Sequence, residues 1–184
     1  MRILGISGSL RRDSQNTLLL RAAAELLPPG AEIVLYDGLR DVPPYDQDDD
    51  VEPVASAVAA LRAAVAEADA VIISTPEYNS SIPGALKTAL DWASRPMATN
   101  AFRSKPVAVI GSSAGMFGAV WAQAELRKVL AAMGARVVDT EVSVGHASEK
   151  FDADGRLVDE EIRDQLRDAL TVLAAELAPE LAAA

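Results

Sequence analysis

Arg2-Ile3-Leu4-Gly5-Ile6-Ser7-Gly8-Ser9-Leu10-Arg11-Arg12-Asp13-Ser14-Gln15-Asn16-Thr17 is the stretch on which the fold turns. Ile3 to Ser7 carries no charge and reads as a strand, the next residues are small or hydroxylated, and a helical pattern then runs from Gln15 to Leu27 until Pro28-Pro29-Gly30 stops it. A strand feeding a helix in this way is the first half of a βαβ unit, and the pattern recurs along the chain. Strands are expected at Arg2 to Ser7, Glu32 to Tyr36, Ala70 to Thr75, Pro106 to Gly111 and Arg136 to Val144. Helices are expected at Gln15 to Leu27, Glu52 to Glu67, Pro83 to Ala93, Val120 to Met133 and Asp159 to Leu177. The class is therefore α/β with a parallel sheet. The first, third and fourth runs are almost wholly apolar, as suits strands covered on both faces. The fifth alternates Val138, Thr140, Val142 and Val144 with Asp139, Glu141 and Ser143, which predicts a half-exposed edge strand. Along the last helix Ile162, Leu166, Leu170, Leu173 and Leu177 form one apolar stripe, and the tail from Pro179 to Ala184 is expected to fray.

A chain of 184 residues with 50% apolar content fits one domain, residues 1–184, without repeat or linker. The absence of cysteine excludes a disulfide framework, a thiol nucleophile and a thiolate metal site, so any redox role falls to a bound cofactor. A net charge of −10 with no basic cluster opposes nucleic acid and anionic membrane as partners. The N-terminal apolar run is too short for a signal h-region or a membrane span, so a cytoplasmic protein is expected. The acidic run from Asp46 to Asp50 reads as a solvated loop, and the single histidine, His146, cannot form a histidine metal site. No metal site and no side-chain catalyst is expected; Gly-x-Ser-x-Gly, Gly-x-Gly-x-x-Gly and the nucleotide P-loop pattern do not occur.

In open parallel sheets ligands bind at the carboxyl ends of the strands, so three loops matter. In the first, the hydroxyls of Ser9, Ser14 and Thr17, the Asn16 amide, the Arg11 guanidinium and the N–H groups around Leu10 can surround a dianion at a helix start. The alternative is N-capping by Ser14 with surface arginines. The second loop, Pro76-Glu77-Tyr78-Asn79, is stiffened by Pro76 and Pro83 and can meet the polar edge of a flat heterocycle; a surface turn with Tyr78 packed on the core is the competing reading. The third, Ser112-Ser113-Ala114-Gly115, offers bare backbone for close approach to a ring, or simply a place for the chain to turn. Trp92 reads as core packing.

Together these segments, with Pro83-Gly84, Leu86-Lys87 and Asp91-Trp92, resemble the NADPH-dependent FMN reductase family, a flavodoxin-like group that includes quinone and chromate reductases and some azoreductases. The resemblance implies a three-layer sandwich whose five-stranded parallel sheet has the order 2-1-3-4-5 with helices on both faces. It implies FMN phosphate on the first loop, an isoalloxazine bordered by Glu77, Tyr78 and Asn79 largely through backbone, and Ser113 against the ring. It further implies an NAD(P)H oxidoreductase, using NADPH or NADH, that reduces flavin, quinones or another small-molecule electron acceptor by hydride transfer through flavin N5. A homodimer or homotetramer is implied too, although Trp121, Ala124 and Ser80 depart from the arginine and aromatic residues that serve subunit contacts in the family. A non-enzymatic flavodoxin-like electron carrier is the rival reading. The arginine in the first loop points away from it, because carriers of that kind have a threonine-rich loop there.

Overall fold

The computed structural model describes residues 1–177, and the expectation for the tail lies outside the described residues. The chain runs β1 (Arg2–Ser7), α1 (Gln15–Glu25), β2 (Glu32–Tyr36), α2 (Ser56–Glu67), β3 (Ala70–Thr75), α3 (Gly84–Ala93), β4 (Pro106–Ser112), α4 (Val120–Ala132), β5 (Arg136–Val137), β6 (Ser143–Val144) and α5 (Glu160–Ala175). The sheet has the order β2-β1-β3-β4-β5, with β6 also on β4 and every pairing parallel.

Alternation along the strands divides the core. Leu4, Ile6, Val71, Ile73, Val107 and Val109 face α2, α3 and α4, where they meet Val58, Leu61, Leu86, Leu90 and Leu126. Ile3, Ala70, Ile72, Ala108 and Ile110 face the other way, onto Leu19 and Leu20 of α1 and the Leu166, Leu170 and Leu173 stripe of α5. Every residue of β3 and β4 is buried, which is why their sequences carry no polar alternation. Trp92 is 1% exposed, donates its indole N–H to the Pro43 carbonyl at 2.9 Å and takes the Tyr45 ring edge-on, so core packing is its place.

Two elements differ from the sequence reading by more than two residues at a boundary. Helix α2 begins at Ser56 instead of Glu52, because Pro53 bars its preceding residue from helical backbone and Ala55 is still extended at ψ 139°. The single strand expected from Arg136 to Val144 is split into β5 and β6. Its alternation is retained, with Val138, Val142 and Val144 buried and Asp139 and Glu141 exposed. What breaks the ladder is Arg127 of α4, whose half-buried guanidinium donates to the carbonyls of Val138 (2.8 Å), Val109 (3.2 Å) and Thr140. Those carbonyls on both sides of the gap are satisfied by a side chain in place of a neighbouring strand. Burial lowers the Arg127 pKa, opposed by Asp139 and Glu141.

The acidic run folds into turns, with Asp46 accepting from the Asp48 N–H at 2.9 Å and Asp50 pairing with Arg62 at 2.9 Å. No helix among the described residues is long and apolar enough to cross a membrane.

Candidate functional site

At the carboxyl edge of the sheet, the loops after β1, β3 and β4 enclose a cleft of about 370 Å³. It is lined by Ser9, Arg11, Ser14 and Asn16 from the first loop, Pro76, Glu77 and Tyr78 from the second, and Ser112, Ser113 and Gly115 from the third, together with Gln15 and Ala114. Most of the residues singled out from the sequence thus converge on one place. Leu10 and Thr17 face a neighbouring cavity, and Asn79 occupies the tip of the second loop.

In the first loop the N-cap offered as the alternative is formed, and groups that could bind an anion stand beside it. Ser14 is the N-cap of α1, accepting the Thr17 N–H at 3.2 Å, while the N–H groups of Gln15 and Asn16 in the first turn have no partner within the helix. Arg11 is exposed, and among the described residues it has no ion-pair partner. The Thr17 hydroxyl is given to Ser7 Oγ at 3.0 Å. Asn16 is 3% exposed and its amide serves the protein itself. Its Oδ1 accepts from Ser74 Oγ (2.8 Å) and from the Ser112 N–H (3.1 Å), and its Nδ2 donates to the Ser112 carbonyl (3.1 Å). One side chain thereby fixes the loop after β1 against the ends of β3 and β4.

Glu77 has a comparable duty. Helix α4 starts from Ala119, which is left-handed (φ 66°) and supplies no side-chain cap. The Glu77 carboxylate takes that place, accepting the N–H groups of Trp121 and Ala122 at 3.1 Å each. A negative charge at the positive end of the helix dipole holds the second loop against α4. Beyond Glu77 the chain makes a tight turn in which Tyr78 and Ser81 exchange backbone hydrogen bonds at 3.0 and 3.1 Å. Both central residues, Asn79 (φ 53°) and Ser80 (φ 61°), are left-handed, which accounts for an asparagine at the tip. Tyr78 is 48% exposed, so it does not pack on the core.

The third loop is stitched to the segment after β6. Ser113 donates its N–H to the Val144 carbonyl, His146 to that of Gly115 and Ala147 to that of Ser113, at 3.0 to 3.1 Å. The approach is so close that a Cβ on Gly145 would lie 2.1 Å from the Met116 carbonyl oxygen. His146 is exposed and contributes backbone at this junction; its neighbour Gly145 was the one local signal for it in the sequence. At the floor of the cleft Ser112 Oγ is buried without a hydrogen-bond partner. Met116, Phe117 and Trp121 are 63%, 54% and 50% exposed, and the two rings meet edge-on at 5.1 Å.

These features suit a flat, phosphorylated ligand: helix N–H groups without a helical partner, hydroxyls and a guanidinium from the first loop, an unpartnered hydroxyl on the floor, and the second and third loops beside them. Comparison with known proteins agrees. The chain is 41% identical over 174 residues to an NAD(P)H-dependent FMN reductase of Pseudomonas aeruginosa, spanning 94% of this chain and 93% of that one. It is 39% identical over 168 residues to a 2-hydroxy-1,4-benzoquinone reductase of Burkholderia sp., covering 91% of each. Among solved structures, the flavoenzyme NAD(P)H:(acceptor) oxidoreductase FerB of Paracoccus denitrificans superposes with a TM-score of 0.84 at 32% identity over 97% of both chains. Residues 1–149 match the family described as NADPH-dependent FMN reductase, and the chain belongs to that family.

Proposed function

We propose that the chain is an FMN-dependent oxidoreductase that takes hydride from NADPH or NADH and delivers it to free flavin, a quinone or a similar flat acceptor. The observation that carries this reading is the convergence of the three loops on one cleft that holds the first loop's anion ligands beside the unpartnered N–H groups at the start of α1. FMN, when bound, supplies hydride acceptance and donation at N5. Arg11, Ser9, Ser14 and the N–H groups of Gln15 and Asn16 hold its phosphate. The backbone groups that these loops leave unpaired, those of Glu77 and Ala114 and the Gly115 N–H, orient the ring, with Ser112 Oγ and Ser113 as further hydroxyl ligands. Glu77 and Asn16 keep these loops in place through the hydrogen bonds they make to α4, β3 and β4. Hydride transfer to a quinone also consumes one proton, which solvent would supply through the exposed cleft, so no side chain there is assigned to move it. The exposed apolar residues Met116, Phe117 and Trp121 beside the third loop support assembly as a homodimer at least, with these side chains covered by the second copy.

Steady-state kinetics with NADPH and benzoquinone test the reading. Parallel double-reciprocal lines and a turnover that depends on added FMN in stripped protein are expected. A stripped protein that oxidises NADPH at the same rate without FMN would reject it.

A further inference from the structure

Beside the flavin cleft, between the ends of β1 and β2, lies a second cavity of about 280 Å³ lined by Ser7, Thr17, Tyr36 and Asp37 and by the guanidinium-bearing Arg11, Arg21 and Arg40. The protein carries a net charge of −10, and its other arginines mostly have acidic or carbonyl partners: Arg2 with Glu67, Arg62 with Asp50, Arg163 with Glu160. Around this cavity the arrangement is reversed. Arg11 and Arg21 have no ion-pair partner among the described residues, and Arg40 gives Nη2 only to the Leu10 carbonyl, at 2.6 Å. Three guanidinium groups line this space with Asp37 as the one carboxylate in the lining and Asp41 close enough to act on Tyr36, and the excess of positive charge favours an anion there.

The cavity borders the phosphate cradle at the start of α1, with which it shares Ser9 and Arg11, and extends beyond it toward β2. Arg21 lies farther along α1, and Leu35, Tyr36, Asp37, Leu39 and Arg40 come from the β2 side, which the flavin cleft does not touch. It is nevertheless continuous with that cleft. A shallow hollow formed by Gly8, Leu10, Arg11, Tyr78, Pro83, Gly84 and Ala85 lies between them, with Arg11 lining all three spaces and Leu10 two of them. A ligand with one end over the second loop can therefore follow the first loop to the arginines. At about 280 Å³ the cavity holds a phosphorylated ribose rather than a whole dinucleotide.

We propose that this arginine-lined cavity is a second phosphate site, one that takes the phosphorylated adenosine half of the nicotinamide dinucleotide while FMN phosphate occupies the start of α1. The assignment rests on the flavin reading above. Arg21 and Arg40 bind phosphate oxygens, and Asp37 accepts from ribose hydroxyls on the same wall. The phosphate in question is either the 2′-phosphate of NADPH or the pyrophosphate shared with NADH, and the two sources separate experimentally.

Arg21→Gln is the variant of choice, since Arg21 is exposed and makes no contact with the flavin cleft. Calorimetric titration of the FMN-loaded chain with adenosine 2′,5′-bisphosphate should show Kd raised roughly tenfold by Arg21→Gln and partly restored by Arg21→Lys, with FMN affinity held within about twofold. A matching rise in KM for NADPH alone assigns the 2′-phosphate; an equal rise for NADPH and NADH assigns the pyrophosphate, and either supports the site. Unchanged bisphosphate affinity and unchanged KM for both dinucleotides would overturn it, as would a loss of FMN affinity in Arg21→Gln. Repeating the bisphosphate titration on flavin-free protein keeps the two readings apart: a wild-type chain that binds bisphosphate and no FMN refutes the flavin assignment and leaves the phosphate site standing.

Discussion

Replacing Asn16 with alanine removes the side chain that joins the loop after β1 to β3 and β4. Three buried hydrogen bonds go with it, to Ser74 Oγ, the Ser112 N–H and the Ser112 carbonyl. Their net worth is about 0.5 to 1.5 kcal/mol each, and the three partners they leave behind are buried, so the total should be about 3 kcal/mol. For a chain of this size each kcal/mol shifts Tm by about 2 to 4 °C, which places the flavin-free Asn16→Ala protein about 6 to 12 °C below wild type. Ser74→Ala breaks only one of the three bonds and should cost about a third as much. Thermal unfolding followed by circular dichroism, without flavin, reads both. The outcome separates two roles for one residue: an amide that served the FMN phosphate would leave the flavin-free protein nearly as stable as before. A Tm shift under about 2 °C in Asn16→Ala would refute the structural role argued here.

Arg11→Ala should weaken FMN binding by about tenfold, at the lower end for a charge-assisted bond because the side chain is exposed, while riboflavin, lacking the phosphate, binds as before in the same fluorescence titration. Glu77→Ala uncaps α4 and should cost about 1 to 2 kcal/mol in urea unfolding, with FMN affinity reduced as the second loop loses its anchor; Glu77→Gln should recover part of both. Gly145→Ala drives a Cβ into the Met116 carbonyl oxygen at 2.1 Å, so the third loop must move, and FMN affinity should fall in that titration even where the fold survives. Asp159 caps α5 through the Ile162 N–H and pairs with Lys150 at 2.6 Å, and the Lys150 bond, followed by the Ile162 N–H, holds its pKa below the ordinary 3.8. Its contribution is therefore complete above that value and disappears as pH falls through the lower folded value, so urea unfolding should show Asp159→Asn destabilised at pH 7 and converging on wild type in strong acid.

Much of the fold was written locally. The spans of β1, β2 and β3 match the sequence reading, β4 extends one residue past it, and the helix starts were marked by Ser14, Pro83 and Asp159. The division of β5 from β6 was not, because it depends on Arg127 reaching carbonyls in β4 and in the following segment, a contact no local pattern encodes. The site shows the same boundary. The loops were legible as loops rich in anion ligands and bare backbone, and the structure brings them to one cleft. What each side chain does there was less legible: the Asn16 amide reaches residues 58 and 96 positions away, and the Glu77 carboxylate caps a helix more than forty positions on. Arg21 and Arg40 carried no signal at all, since they meet only because β2 lies beside β1.

The central claim is that this chain binds FMN in the three-loop cleft and reduces it directly with a nicotinamide dinucleotide. An anaerobic absorbance scan of the purified protein with FMN, recorded before and after NADPH, tests it without any acceptor or second protein. The account predicts one non-covalently bound FMN per chain and full loss of the oxidised flavin bands on adding NADPH. A protein that binds no FMN, or one whose bound flavin keeps its oxidised spectrum in the presence of both NADPH and NADH, would contradict it.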